Sequence, residues 1–148
     1  MTRKPPTPVR FDIHVAGRLA SFAASRLGLS LSAAANLLVD EGLRMAEHPG
    51  VVFRDGPTGR RAGLAGGPDV WEVVRAVKSA RAAEPDLAED DVLAVVVANT
   101  GVPLRSVRTA VSYWASYPAE IDAEIDAADH AEIAAEEAWR RERDLLAR

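Results

Sequence analysis

Apolar and polar residues alternate along the segment VRFDIHV, residues 9–15. A period of two is typical of a strand with one buried face, so the sequence predicts a short strand from Val9 to Val15. Its apolar face would carry Val9, Phe11, Ile13 and Val15. The preceding residues 1–8 hold three prolines and two basic residues, which predicts an extended basic arm.

After Val15 the spacing of apolar residues changes to three and four, which indicates helices. A first helix would run from Ala16 to Leu27 and end at Gly28. A second would begin at Ser30 or Ser32, either of which can cap it, and would run toward His48. Residues 9–49 are therefore predicted as one domain with the order strand, helix, helix.

Turn-forming residues organise the next part of the chain, residues 50–118. The cluster DGPTG, residues 55–59, lies between two short apolar segments and predicts a β-hairpin. Asp69 is placed to cap a following helix, and another helix would be capped near Asp86.

The segment ANTGVPLRSV, residues 98–107, has the residue spacing of a helix-turn-helix. Ala98 would let two helices approach, Gly101 would make the turn, and Val107 would pack the second helix onto the first. That second helix, from Leu104 to about Tyr117, would present Arg105 and Arg108 to solvent.

Residues 119–148 predict one long acidic helix with a thin apolar stripe. A helix with so narrow a stripe is not stable alone in water, so it needs a surface to cover it. The predicted fold is mainly α with a short N-terminal β-ribbon: a ribbon-helix-helix dimer, a small hairpin with a helix-turn-helix-like helical domain, and a C-terminal helix. The stripe consists of Ile121, Ile125, Ala128, Ala135, Trp139 and Leu146.

Composition excludes several classes of function. The 148-residue chain has no cysteine, which excludes disulfides, thiolate zinc sites and a cysteine nucleophile. Its three histidines are far apart, its glycine-rich segments lack a phosphate-loop lysine, and no Ser, His and Asp grouping suggests catalysis. No apolar run approaches the length of a membrane span. We therefore expect a cytoplasmic protein that is not an enzyme and needs no cofactor or metal.

Charge is distributed unevenly along the chain. Residues 1–85 hold 12 Lys and Arg against 8 Asp and Glu, whereas residues 86–148 hold 6 against 14. A mildly basic front and an acidic rear indicate two different partners. With only eight aromatic residues for a core, the chain is also expected to bury surface against a second copy of itself.

The first fifty residues resemble the ribbon-helix-helix DNA-binding proteins. The resemblance rests on VRFDIHV, the GLS turn and the capped second helix. It implies a nucleoid-associated dimer whose paired strands lie in the major groove of double-stranded DNA, with the second helix's N-terminus holding a phosphate. Arg10 and His14 would then read bases, and Asp12 would accept from cytosine or pair with Arg10. The candidate DNA-binding residues are Arg3, Lys4, Arg10, Asp12, His14, Ser30, Ser32, Arg105 and Arg108.

From about Pro49 to Ile125 the chain resembles the helical domain of bacterial VapB-type antitoxins. The supporting stretches are HPGVVFRDGPTGRRAGLAGGPDVWEVV and LRSVRTAVSYWASYPAEIDAEI. This resemblance implies an antitoxin that represses its own operon and neutralises a PIN-domain ribonuclease toxin. An arginine of the C-terminal helix would displace the metal held by the toxin's carboxylates. The candidate partner-binding residues are Trp139, Arg140, Arg141, Arg143, Leu145 and Leu146.

Two other functions fit the same sequence. One is a stand-alone ribbon-helix-helix transcription regulator or nucleoid-associated protein without a toxin. The other is a protein-binding adaptor whose ribbon serves only dimerisation. DNA binding distinguishes the last of these functions from the first two, and co-purification with the product of an adjacent gene distinguishes the antitoxin.

Overall fold

In a computed structural model that describes residues 4–147, the fold is mainly helical, with a two-stranded antiparallel sheet. The chain divides into two compact units, Met1–Leu43 and Arg44–Arg148, here called unit 1 and unit 2. The elements in the described residues are α1 (Ile13–Ala24), α2 (Leu31–Glu47), β1 (Val51–Gly56), β2 (Gly59–Leu64), α3 (Val70–Ala83), α4 (Glu89–Thr100), α5 (Leu104–Ser116) and α6 (Pro118–Leu146).

The predicted strand from Val9 to Val15 is wrong, because no residue of this segment forms a strand. Ile13, His14 and Val15 form the first turn of α1, and residues 4–12 have no regular secondary structure. Asp12 is the N-cap, and its Oδ1 accepts a hydrogen bond from the Val15 amide at 2.9 Å. An unpaired strand leaves its backbone groups unsatisfied, whereas this cap satisfies one of the helix's first free N–H groups.

Unit 1 has a very small core. In its described residues, the buried apolar side chains are Leu19 and Ala23 of α1 and Ala34 of α2. Phe22 and Leu38 pack against them while remaining partly exposed. Ser30 caps α2, as one of the two predicted alternatives, because its Oγ accepts from the Ala33 amide at 3.1 Å.

Unit 2 contains the larger core, which lies between the hairpin and α3, α4, α5 and α6. The hairpin is confirmed, with Val51 paired to Leu64 and the turn at residues 57–58. Asp69 caps α3 as predicted, in a capping box where its N–H donates to Glu72 Oε1 at 3.2 Å. The side chains that are almost completely buried include Val51, Leu64, Val70, Val73, Val96, Val107, Tyr113 and Ile121.

The helix pair α4 and α5 follows the predicted helix-turn-helix with two corrections. Gly101 ends α4 with a left-handed φ of 72°, and Val107 is fully buried, as expected for the turn and the packing position. However, Ala98 is exposed, so it makes no close helix contact. α4 also begins at Glu89 with Ala88 as N-cap rather than near Asp86, because the intervening residues form a turn held by Arg81, which donates to two of its carbonyl oxygens.

α6 is one continuous helix, as predicted, but only its beginning is packed. Ile121 and Ile125 are buried in the core of unit 2. Arg75 of α3 binds Asp129 at 3.0 Å and Glu132 at 2.8 Å. From residue 133 to residue 147 every side chain is exposed.

Candidate functional site

The segment before α1 carries two exposed cations that form no ion pair in the described chain. Lys4 and Arg10 are exposed, and neither forms an ion pair within the described part of the chain. Arg3, the third predicted DNA-binding residue here, lies outside the described residues. The charges of Lys4 and Arg10 are therefore available to an external anion such as a phosphate.

The structure does not place Arg10, Asp12 and His14 on one strand face. Arg10 precedes the helix, Asp12 caps it, and His14 is an exposed residue of its first turn. The interpretation of Asp12 as a base-contacting residue is replaced by a capping role, since its carboxylate already accepts from the Val15 amide. Arg10 is exposed in the segment before the helix.

An open apolar groove lies between the two helices of unit 1. Its volume is about 440 Å³, and Phe11 from the segment before α1 forms part of its wall. Most of the other lining residues are apolar side chains of α1 and α2 that a complete hydrophobic core would bury. Sequence analysis did not single out this groove. It is lined by Phe11, Val15, Arg18, Leu19, Phe22, Ala35, Leu38 and Val39.

The N-terminus of α2 is exposed and capped by Ser30. Ser32 lies one residue inside the helix, where its carbonyl oxygen accepts from the Asn36 side chain at 3.0 Å. Both serines are therefore near the predicted phosphate position, but only Ser30 supplies the cap.

The exposed face of α5 is less basic than its sequence suggests. Arg108 binds Asp90 at 3.0 Å and lies 3.6 Å from Glu89, both in the acidic first turn of α4. Arg105 is exposed and has no ion-pair partner among the described residues. Since three acidic residues begin α4, this face repels a phosphate backbone more than Arg105 and Arg108 alone would indicate.

The predicted partner-binding residues all lie on the exposed end of α6. Trp139 is 58% exposed, and Leu145 and Leu146 are about three-quarters exposed. Arg140 and Arg141 pair with Glu136 and Glu137 one turn earlier, and Arg143 lies 5.3 Å from the Trp139 ring. All of these contacts lie within the helix itself and are of the weak, exposed kind found between neighbouring turns.

Sequence analysis missed a polar cluster that fixes the end of α2 in unit 2. Arg44 donates to Tyr113 OH at 2.9 Å and binds Glu120 at 2.7 Å. Burial raises the pKa of Tyr113 to about 12, so the hydroxyl stays protonated. The partners are 69 and 76 residues apart in sequence, and no local pattern signals such a contact.

Within residues 4–147, the histidine and acidic side chains form no group of three or more that is suited to holding a metal ion. None of the helices in this part of the chain combines the length and the apolar composition that crossing a bilayer requires.

Comparisons with protein-family models, with curated proteins and with solved structures found no match to this chain.

Proposed function

We propose that the protein is a DNA-binding antitoxin that dimerises and binds DNA through unit 1 and binds a PIN-domain ribonuclease through the exposed end of α6. The observation that carries the proposal is the incompleteness of unit 1. In its described part this unit buries only three apolar side chains and leaves a 440 Å³ apolar groove open. A unit of this size does not reach stability without added apolar contacts.

A second copy of unit 1 is the partner that the sequence supports. The groove is lined by Phe11, which belongs to the alternating segment VRFDIHV. If residues 9–12 pair with the same residues of a second copy, the backbone groups of both segments are satisfied and both Phe11 rings are buried. The twofold contact is then self-complementary, as in most homodimers.

Duplex DNA is the second partner, because the same segment carries Lys4 and Arg10 without carboxylate partners. A paired ribbon presents both copies of Arg10 side by side, and arginine can donate two hydrogen bonds to guanine in the major groove. The free N–H groups at the N-terminus of α2 favour a phosphate at Ser30. The proposal does not use the α5 face, since Arg108 is already paired with acidic residues.

DNA binding is tested with the duplex that precedes the protein's own gene and with a random duplex of equal length. With about 6 phosphate contacts, affinity should fall about a thousandfold between 50 and 200 mM salt. Arg10→Ala should weaken binding to the specific duplex more than to the random one, whereas Lys4→Ala should weaken both equally. Equal losses for Arg10→Ala on both duplexes would show that Arg10 does not read bases.

The proposed toxin contact rests on the bare end of α6. Trp139 combines a large apolar surface with a neighbouring arginine, which is the composition of an interface anchor. Arginine also binds carboxylates with two parallel hydrogen bonds, and a PIN-domain nuclease holds its metal with carboxylates. An inserted Arg140, Arg141 or Arg143 would displace that metal and stop cleavage.

The toxin contact is tested by removing residues 134–148 and co-expressing the shortened chain with the product of the adjacent gene. The ion pairs of Arg75 with Asp129 and Glu132 remain in this variant. DNA binding should be retained, while co-purification and inhibition of RNA cleavage should be lost. Retention of DNA binding by the full chain with no co-purifying nuclease would instead favour a stand-alone regulator.

A further inference from the structure

A second apolar groove lies in unit 2, between α3, α4 and α5, and is here called the α3–α5 groove. Its volume is about 570 Å³ and its wall is mostly valine, leucine and tryptophan side chains. The charged residues that line it are the cations Lys78, Arg81 and Arg108 and the carboxylate of Glu89. The apolar wall is formed by Val74, Val77, Val92, Leu93, Val111 and Trp114.

The end of α6, residues 133–147, is here called the tail, and it has an apolar stripe of matching character. Trp139 follows Ile121 by 18 residues, which is five turns of an α-helix. It therefore lies on the same side of α6 as Ile121, which is fully buried in the core of unit 2. Leu146 follows Trp139 by two turns on that side. The tail thus continues the core-facing stripe of α6 with nothing covering it in the described chain.

The tail does not fill the α3–α5 groove of its own chain. Every residue of the tail is exposed, and α6 is continuous from Pro118 to Leu146. No glycine or proline after Pro118 provides a turn at which the tail could fold back. For a tail to reach the groove while α6 stays helical, the tail must therefore come from a second copy of the chain.

One charged pair can form between the tail and the groove. Lys78 and Arg108 already bind carboxylates of their own chain. Arg81 donates to the carbonyl oxygens of Pro85 and Leu87, and it forms no ion pair with a carboxylate among the described residues. Glu142 lies on the tail between Trp139 and Leu146 and likewise has no ion-pair partner in residues 4–147. A carboxylate between two apolar anchors therefore suits an apolar groove with Arg81 at its rim.

We propose that the tail of one copy docks in the α3–α5 groove of a second copy, with Trp139 and Leu146 as its apolar anchors. This contact goes beyond the proposed function and does not depend on it. The tail is also the proposed toxin-binding surface, but the α3–α5 groove and a second copy have no part in the toxin contact. It gives the tail a partner when no other protein is present, so any protein that binds the tail must displace it from the groove.

The contact is tested by crosslinking between full-length chains, since the natural sequence has no cysteine. One variant carries Ala115→Cys in the groove, the other carries Ala135→Cys on the tail stripe, and both positions are exposed. The two are co-expressed and treated with a short bismaleimide. In the control pair, Ser79→Cys replaces Ala115→Cys, because Ser79 is exposed on α3 outside the groove. We expect the test pair to give a mixed crosslinked dimer at a yield about tenfold above that of the control pair.

Matched tail variants identify the anchors. Trp139→Ala and Leu146→Ala should each lower the yield of the mixed crosslink, the former about tenfold. Leu145→Ala is the matched control, because Leu145 has nearly the same exposure as Leu146. It should leave the yield unchanged, since Leu145 faces another side of the helix. Equal yields with Ser79→Cys and Ala115→Cys, or equal effects of the two leucine variants, would each overturn the proposal. A further control is a single chain that carries both Ala115→Cys and Ala135→Cys, and a crosslink within that chain would also overturn the proposal.

Discussion

Asp12 shows how one side chain decides where the first helix begins. Its carboxylate accepts from the Val15 amide, which fixes residues 13–15 as helix although they continue an alternating pattern. Asp12→Ala should lower the free energy of unfolding by about 1 kcal/mol, whereas Asp12→Asn should cost little, because asparagine caps equally well. Urea unfolding of the two variants checks this. Equal destabilisation by both would mean that the negative charge matters rather than the cap.

Glu124 is a carboxylate whose position predicts a pH dependence of stability. Burial raises its pKa to about 7, against the attraction of Arg61 and with help from Glu120 and Asp69. Its Oε2 is buried without a hydrogen-bond partner in the described structure. Between about pH 4.5 and pH 7 the folded chain therefore binds more protons at this site than the unfolded chain. The contribution of Glu124 to the free energy of unfolding is therefore fully present below about pH 4.5 and is lost as the pH rises through about 7.

Glu124→Gln should remove this loss. Above pH 8 the variant should be more stable than the natural chain by about 1 kcal/mol, allowing for solvent screening of a half-buried group. Near pH 4 the two should be equal.

Asp122 on the same helix provides a control of opposite sign. Hydrogen bonds from Lys78 at 2.6 Å and Trp114 at 2.8 Å hold the pKa of Asp122 below its usual value. Asp122→Asn should therefore destabilise the protein at neutral pH. Unfolding curves that shift in the same direction for both variants would contradict these assignments.

At the scale of elements, local patterns identify the hairpin and the helices well. Asp69, Gly101 and Val107 have the positions expected of a cap, a turn and a packing residue. The pattern misleads at Ile13 to Val15, because a period of two over seven residues competes with a single capping bond. Contacts such as Arg44 with Tyr113, 69 residues apart, depend on tertiary packing that no short segment encodes.

The same limit applies to the two grooves. Each is lined by residues from two or three helices, so the sequence shows the apolar positions but not that a gap remains between them. The exposed apolar residues at the end of α6, for which we propose a partner, were identifiable because an uncovered stripe is visible in the helical periodicity itself.

The turn between α4 and α5 offers a prediction about backbone conformation. Gly101 has a φ of 72°, and a Cβ added there would have no atom within 4 Å. Gly101→Ala should therefore cost about 1 kcal/mol of stability through its left-handed conformation alone. Gly42→Ala in the interior of α2, also with open space around it, should stabilise by up to about 1 kcal/mol. Thermal unfolding that shows equal changes for both would contradict the backbone argument.

At the scale of the whole molecule, the two units differ in what they lack. In its described part, unit 2 has a core of fourteen buried residues and leaves the end of α6 and the α3–α5 groove uncovered. Unit 1 has a core of three in its described part. The units also differ in charge, since the exposed cations Lys4 and Arg10 belong to unit 1 and the acidic helix α6 belongs to unit 2. Dimerisation through unit 1 should therefore determine whether the N-terminal part folds at all.

Phe11→Asp tests this coupling between dimerisation and folding. Phe11 lines the groove of unit 1, so a carboxylate there should prevent a second copy from covering it and should remove the helical signal of α1 together with the dimer. The measurement is light scattering combined with far-ultraviolet circular dichroism over a range of protein concentrations. A Trp139→Ala background excludes association through the tail.

Leu27→Asp is the matched control, because Leu27 is fully exposed and does not line the groove. This variant should keep both the dimer and its helicity, since the added charge stays in water. The concentration dependence is the decisive part: a dimer that folds as it associates loses helicity on dilution, whereas a stable monomer does not. Two outcomes would contradict the proposed role of unit 1 as an obligate dimerisation unit. One is helicity that does not depend on concentration in the Trp139→Ala protein. The other is a Phe11→Asp variant that remains dimeric.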